Sequence, residues 1–439
     1  MTAKASWMER LTERGMGRVF RYPDFVLFSF TGWFANIGSW FQRVGIQWLA
    51  WELTHSYAWL GAMALADAIG IIVFLPLFGT VIDRANRLDC AKLSQWIATA
   101  LTILLAALTL LDWINIWLLL AMMFLHGVSE AFWTPVRMAL PPSMVPREDL
   151  APSLGLTAIL FNIAQIIGPA VAGLIIVAFD DHRIGIGFLF VGNATLALIY
   201  LWSFYIIKLR YEDYSARQAT GFFADFKDGI LYAFHKEGLA LFMLMMIATT
   251  MIMRAFRELL AGYADGVFHQ GPQGLAVLTS AVGIGALVGA VIIANFGTVK
   301  GLTRTIFFFL AIGIALQSGF ALTDNFWIAA ACSVGMGLAI AIGGIGSQLL
   351  VQSAIHGAMR GRVMSFWALI LRGGPPLGAW MIGVASEAWD FQLVLVGATA
   401  LYALVFLAVL PRVKHIAAHL ETPPDETELP RTARKKAAE

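Results

Sequence analysis

Seven ionisable side chains interrupt long apolar stretches of this chain: Arg43, Asp67, Glu130, Arg254, Arg257, Glu258 and Arg372. A charge in such a stretch is costly to desolvate. It is kept where it faces a polar cavity or a partner and handles an ion, a proton or a charged solute. The spacing supports such faces. Asn36, Trp40, Arg43 and Gln47 fall at i, i+4, i+7 and i+11, a single stripe down one helix. His126, Glu130, Trp133 and Arg137 repeat that spacing, and Thr250, Arg254, Glu258 and Asp265 form a third stripe with Arg257 beside it. Gln348 and Gln352 mark a weaker fourth. Glu130 has no basic neighbour within one turn of its own helix and is the expected proton carrier. A carboxyl group taken out of water holds a proton more readily, and His126, one turn away, is a residue type that titrates near neutral pH. Asp67 is a second acid of this kind. Arg254 and Glu258 are one turn apart and can pair within their helix. Trp40 and Trp133 offer flat surfaces to an aromatic or amphipathic ligand.

These stripes need helices that cross a membrane. The chain is 59% hydrophobic and only 13% charged, with mean hydropathy +0.74. A soluble domain is nearer half apolar and a quarter charged. Twelve apolar segments recur, at about 24–51, 58–82, 90–111, 114–137, 150–178, 184–207, 238–264, 271–296, 303–322, 326–352, 361–385 and 389–411. Each is long enough to span ~30 Å of hydrocarbon as a helix. None alternates as a barrel strand would. The fold expected is therefore all-α and integral to the membrane. Of the 30 Lys and Arg residues, 25 fall in the tails and in alternate loops, and only Arg183 falls on the opposite side. That bias places both termini in the cytoplasm. The N-terminal tail lacks a short apolar core with a cleavage site, so the first span is expected to direct insertion.

Arg43 precedes the expected turn at His55 by twelve residues and Asp67 follows it by twelve, so the two lie at equal depth on antiparallel helices. They can pair if their faces meet. A net charge of +2 gives no reason to expect nucleic acid. Cys90 and Cys332 lack ligand-like spacing, and neither a metal, a cofactor nor a disulfide is expected. No nucleophile–base pair or phosphate loop is present to suggest an enzyme. "GIGALVGA" lies inside an apolar span with no strand before it, and reads as helix packing.

The halves echo each other. "FGTV" ends the second span at 78–81 and the eighth at 296–299. "GP" occurs in the fifth span as Gly168–Pro169 and in the eleventh as Gly374–Pro375. The organisation expected is a tail (1–23), a six-helix bundle (24–207), a linker (208–237), a second bundle (238–411) and a tail without fixed structure (412–439). Duplicated six-helix halves characterise one large class of secondary transporters. "GTVIDRANR", "NIGSWFQRVGIQWLAWELTHS", "FNIAQIIGPAVAG" and "RGRVMS" carry a closer resemblance. Through them the chain resembles the transmembrane secretion effector branch of the major facilitator superfamily, which includes enterobactin-type exporters. "GTVKGLTR", the second-half copy of the loop signature, lacks the acid and the adjacent Arg. In the fourth span His126 and Glu130 stand where the family carries an Arg.

The resemblance implies that spans 1, 4, 7 and 10 line a central cavity. Asn36, Trp40, Arg43, Gln47, His126, Glu130, Trp133, Arg254, Glu258 and Arg372 are then its expected lining. It further implies that Gly79, Asp83, Arg84 and Arg87 form a cytoplasmic gate. Gly168, Pro169, Gly374 and Pro375 weaken their helices and suit a hinge. The function expected is proton-coupled export of a small organic solute, such as a siderophore or drug-like compound, by a monomer in the cell membrane. A lipid flippase on the same fold is the alternative.

Overall fold

The structure, a computed structural model, describes residues 15–82, 85–210, 230–235, 237–296, 298–355 and 357–422. Among them there is no strand. The spans are α1 (Pro23–Thr54), α2 (Tyr57–Ile82), α3 (Arg87–Leu110), α4 (Ile116–Ala139), α5 (Leu150–Val177) and α6 (His182–Ile206). After the linker come α7 (Gly238–Val267), α8 (Gly271–Ala294), α9 (Leu302–Leu322), α10 (Phe326–Ala354), α11 (Gly357–Ala385) and α12 (Phe391–Val409). Eleven of these described helices are long and apolar enough to cross a membrane. The exception, α1, has 32 residues and the length to do so, but Asn36, Gln42, Arg43 and Gln47 lower its hydropathy.

Local sequence sets the helix ends. Asn86, Asn115, Asn325 and Asp390 each accept backbone N–H bonds at the first turn of α3, α4, α10 and α12, satisfying donors that a helix leaves unpaired. His55, in the left-handed region at φ 46°, closes α1 and leaves one residue, Ser56, before α2. Exposed Trp113, Trp117, Trp327 and Trp389 sit at helix ends, as expected of an interfacial belt.

The chain forms two compact units, one of residues 1–55, 66–218 and 269–280, the other of 56–65, 219–268 and 281–439. In the first, α1 packs on α6 through Gly38 and Gly45, where an added Cβ would lie 2.5 Å from Asn193 Oδ1 and 2.8 Å from Phe190. α2 crosses α4 at Gly70 and Gly127. A Cβ on Gly127 would come within 2.1 Å of the Asp67 carbonyl. The second unit repeats this crossing. Gly285 of α8 and Gly337 of α10 would collide with Val334 O and Val282 O at 1.8 and 2.1 Å. Small residues at such crossings let helix backbones approach where no hydrophobic drive assembles them.

Two elements depart from the sequence reading. Span 7 is expected as one regular helix, yet it passes from α-helix to a π turn at Thr249–Met253, a 3-10 turn at Ala255–Leu259 and a second π turn at Tyr263–Val267. The cause is packing. Gly374 and Gly378 of α11 receive Thr250 and Met251 so closely that a Cβ would lie 2.3 Å from Thr250 Oγ1 or 1.8 Å from Met251 O. The carbonyl of Ile252, within the π turn, accepts from Gln317 Nε2 of α9. The start of the expected unstructured tail is also a helix, α13 (Val413–Leu420), because Val413, Ile416 and Leu420 bury one face. Just after it, Glu421 accepts from the backbone N–H of Gly301 (2.7 Å) and Thr303 (2.9 Å). Gly301 stands at the N-cap of α9 and has no side chain to cap with, so Glu421 supplies the cap from far along the chain. Pro169 and Pro375 lie inside continuous helices. Most of the linker 208–237, and the tail beyond 422, fall outside the described residues.

Candidate functional site

In the first unit, the α2–α4 crossing brings two titratable groups together. His126 Nδ1 meets Asp67 Oδ1 at 2.8 Å, with the carboxylate as acceptor. Neither side chain is sealed off, at 34% and 20% exposure. Glu130, one turn along α4, and Arg43 of α1 lie within electrostatic reach of His126. The Arg43 guanidinium sits over the Trp40 ring, its carbon 5.5 Å from the centroid, a cation–π contact that eases desolvation. Arg43 is exposed while Trp40 is buried, and Asn36 and Gln47 are half-buried on the same helix. The group thus contains two acids, one guanidinium and one imidazole. With His126 neutral it carries one net negative charge. One added proton brings it to zero, which lowers the cost of desolvating the group.

The hydrogen-bonded partner that the structure gives Asp67 is therefore His126, and Arg43 joins the same group of charges from α1. Trp133 packs edge-on against Tyr200 (5.7 Å) and near Phe204 (5.9 Å) in an aromatic cluster. Of the gate residues, Asp83 and Arg84 lie outside the described residues. Arg87 donates to Ser143 at the start of the 4–5 loop. Among the described residues, a Cβ on Gly79 would meet nothing within 4 Å. Gly168, in contrast, takes Trp40 so closely that a Cβ would lie 2.4 Å from Trp40 Cβ.

In the second unit, Arg254 follows the π turn, its N–H bonded to Thr249 O at 3.0 Å. Its guanidinium lies over Gly344, where a Cβ would be 3.1 Å from Nη1. Glu258 is its electrostatic neighbour. Together with Thr250, Ser347 and Trp367, Arg254 lines a narrow recess between α7, α10 and α11. Arg372 is exposed on α11.

Sequence reasoning missed two polar assemblies. Gln42, buried in α1, accepts from Thr102 Oγ1 (3.0 Å) and Asn193 Nδ2 (2.7 Å), joining α1, α3 and α6. Gln42 lies off the Arg43 stripe, and its adjacency to the apolar face was the signal available. Asp149, 2% exposed ahead of α5, is held by Tyr22 Oη at 2.7 Å and Arg18 Nε at 3.1 Å. No periodicity marks it.

Comparison with known proteins defines the class first. A nucleoside transporter, NupG, superposes with a TM-score of 0.72 at 16% identity, over 88% of this chain and 98% of that one. A bacterial homologue of the iron transporter ferroportin gives 0.65 at 15% identity, over 88% and 98%. The fold is that of major facilitator transporters. Residues 19–434 match the transmembrane secretion effector family, and the chain belongs to it. Among its relatives are macrolide efflux protein A of Streptococcus pyogenes (24% identical; 82% of this chain, 89% of the relative) and the staphyloferrin A transporter of Staphylococcus aureus (23%; 85% and 90%). The protein is a multi-pass membrane transporter.

Proposed function

We propose that this protein is a proton-coupled exporter of a small organic solute, working by alternating access as residues 24–207 rock against 238–411. The charge group of Arg43, Asp67, His126 and Glu130 carries the proposal, because one proton cancels its net charge and so changes the cost of exposing it to either side. Glu130 and Asp67 are the acids assigned to coupling. Export and a drug-like or siderophore-like solute are drawn from relatives whose names denote macrolide efflux and staphyloferrin A transport. The working form is a monomer in the cell membrane with both termini cytoplasmic. The test is efflux from proteoliposomes under an imposed pH gradient. Efflux should collapse with an uncoupler and be lost in Glu130→Gln while solute still binds. Pumping unchanged by the gradient, or gradient-independent movement of fluorescent phospholipid in its place, would rule the proposal out.

A further inference from the structure

The intramembrane charges divide unevenly between the two units. The first holds Arg43 against Asp67 and Glu130. The second holds Arg254, Arg257 and Arg372 against Glu258, with Asp265 at the far end of α7. Arg254 stands out within the second set. No hydrogen bond or ion pair to its guanidinium is found among the described residues, and Glu258 acts on it only as a nearby charge. Its five N–H donors meet the glycine surface of Gly344 and a narrow recess walled by Thr250, Ser347, Trp367 and Leu371. A guanidinium at membrane depth is retained where something compensates it. The backbone is bent to place it there, since the π turn at Thr249–Met253 immediately precedes it, and π turns inside helices recur at functional sites.

We infer that Arg254 is the recognition point for an anionic group of the solute, a carboxylate seated in this recess with an aromatic or apolar body against Trp367 and Leu371. Arginine suits such a group because its planar fork gives two parallel bonds to one carboxylate. Gly344 is then a specificity residue, leaving room for the fork. The inference rests on the exporter reading for its biological role and adds to it the class of solute: an amphipathic organic acid or zwitterion.

The probe pair is 1-naphthoate and 1-naphthamide, matched in shape and differing in charge, titrated into the purified full-length protein in lipid nanodiscs by calorimetry. The wild type should bind the carboxylate at least about tenfold more tightly, the scale of a charge-assisted pair. Arg254→Gln should bring the ratio near one, while Arg254→Lys keeps part of it. Gly344→Ala, whose Cβ crowds Nη1, should weaken the carboxylate several-fold and leave the amide unchanged. It also serves if Arg254→Gln is not monodisperse. Equal binding of the two probes, binding of neither, or a ratio that survives in both Arg254→Gln and Gly344→Ala would overturn the inference. Proton-driven efflux without this charge preference would sink the anion site and leave the exporter standing. A charge preference without any pH-driven efflux would do the reverse.

Discussion

His126 links the two acids of the first unit, touching Asp67 directly and Glu130 through space. Replacing it with Asn keeps a hydrogen bond to Asp67 possible and removes the titratable ring. His126→Asn should therefore flatten the dependence of efflux on pH while leaving solute affinity within a few-fold. Stopped-flow efflux at several pH values measures this, and an unchanged profile would assign the proton elsewhere. Gln42 is a structural counterpart. Gln42→Met leaves Asn193 and Thr102 without their shared acceptor, at a cost of about 1 kcal/mol, visible as a lower thermal midpoint with coupling intact. At this scale the sequence was partly legible. Equal depth on two antiparallel helices offered Arg43 as the partner of Asp67, whereas its hydrogen bond goes to His126, because depth carries no information about rotation. The rotation that turns Asp67 toward His126 is set at Gly70 and Gly127, where the helix crossing is fixed by contact between backbones.

Helix extents were readable because hydropathy sums along the chain and the capping residues Asn86, Asn115, Asn325 and Asp390 mark its punctuation. Span 7 was not, since its π turn at Thr249–Met253 packs on glycines more than 100 residues further on, in α11. A stripe drawn on a regular helix through Thr250, Arg254 and Glu258 therefore misses the extra residue that the π turn inserts. The same contact yields a prediction. Gly378→Ala puts a methyl 1.8 Å from Met251 O, so α7 and α11 must separate or the protein must lose stability. Overpacking of this kind costs typically 1–3 kcal/mol. Reduced thermal stability, together with loss of the carboxylate preference assigned to Arg254, is the expected outcome. A variant as stable and selective as the wild type would show that the π turn does not depend on this packing.

For the molecule as a whole, the loop charges predict orientation. Cys90 and Cys332 are both buried, so added cysteines can be read against a low background. A membrane-impermeant maleimide applied to intact cells should label Asp324→Cys in the 9–10 loop and spare Lys300→Cys in the 8–9 loop, with the pattern reversed in inside-out vesicles. Identical labelling of both would contradict the orientation. Glu421 carries a practical consequence for shortened forms of this protein. The carboxylate closing the first turn of α9 belongs to a residue that looks, in the sequence, like the first of a dispensable polar tail. A deletion starting at Thr422 keeps it. One starting at Glu421, or a purification tag fused directly after Leu420, leaves α9 uncapped, and a protein trimmed one residue too far would be taken for one that tolerates no trimming.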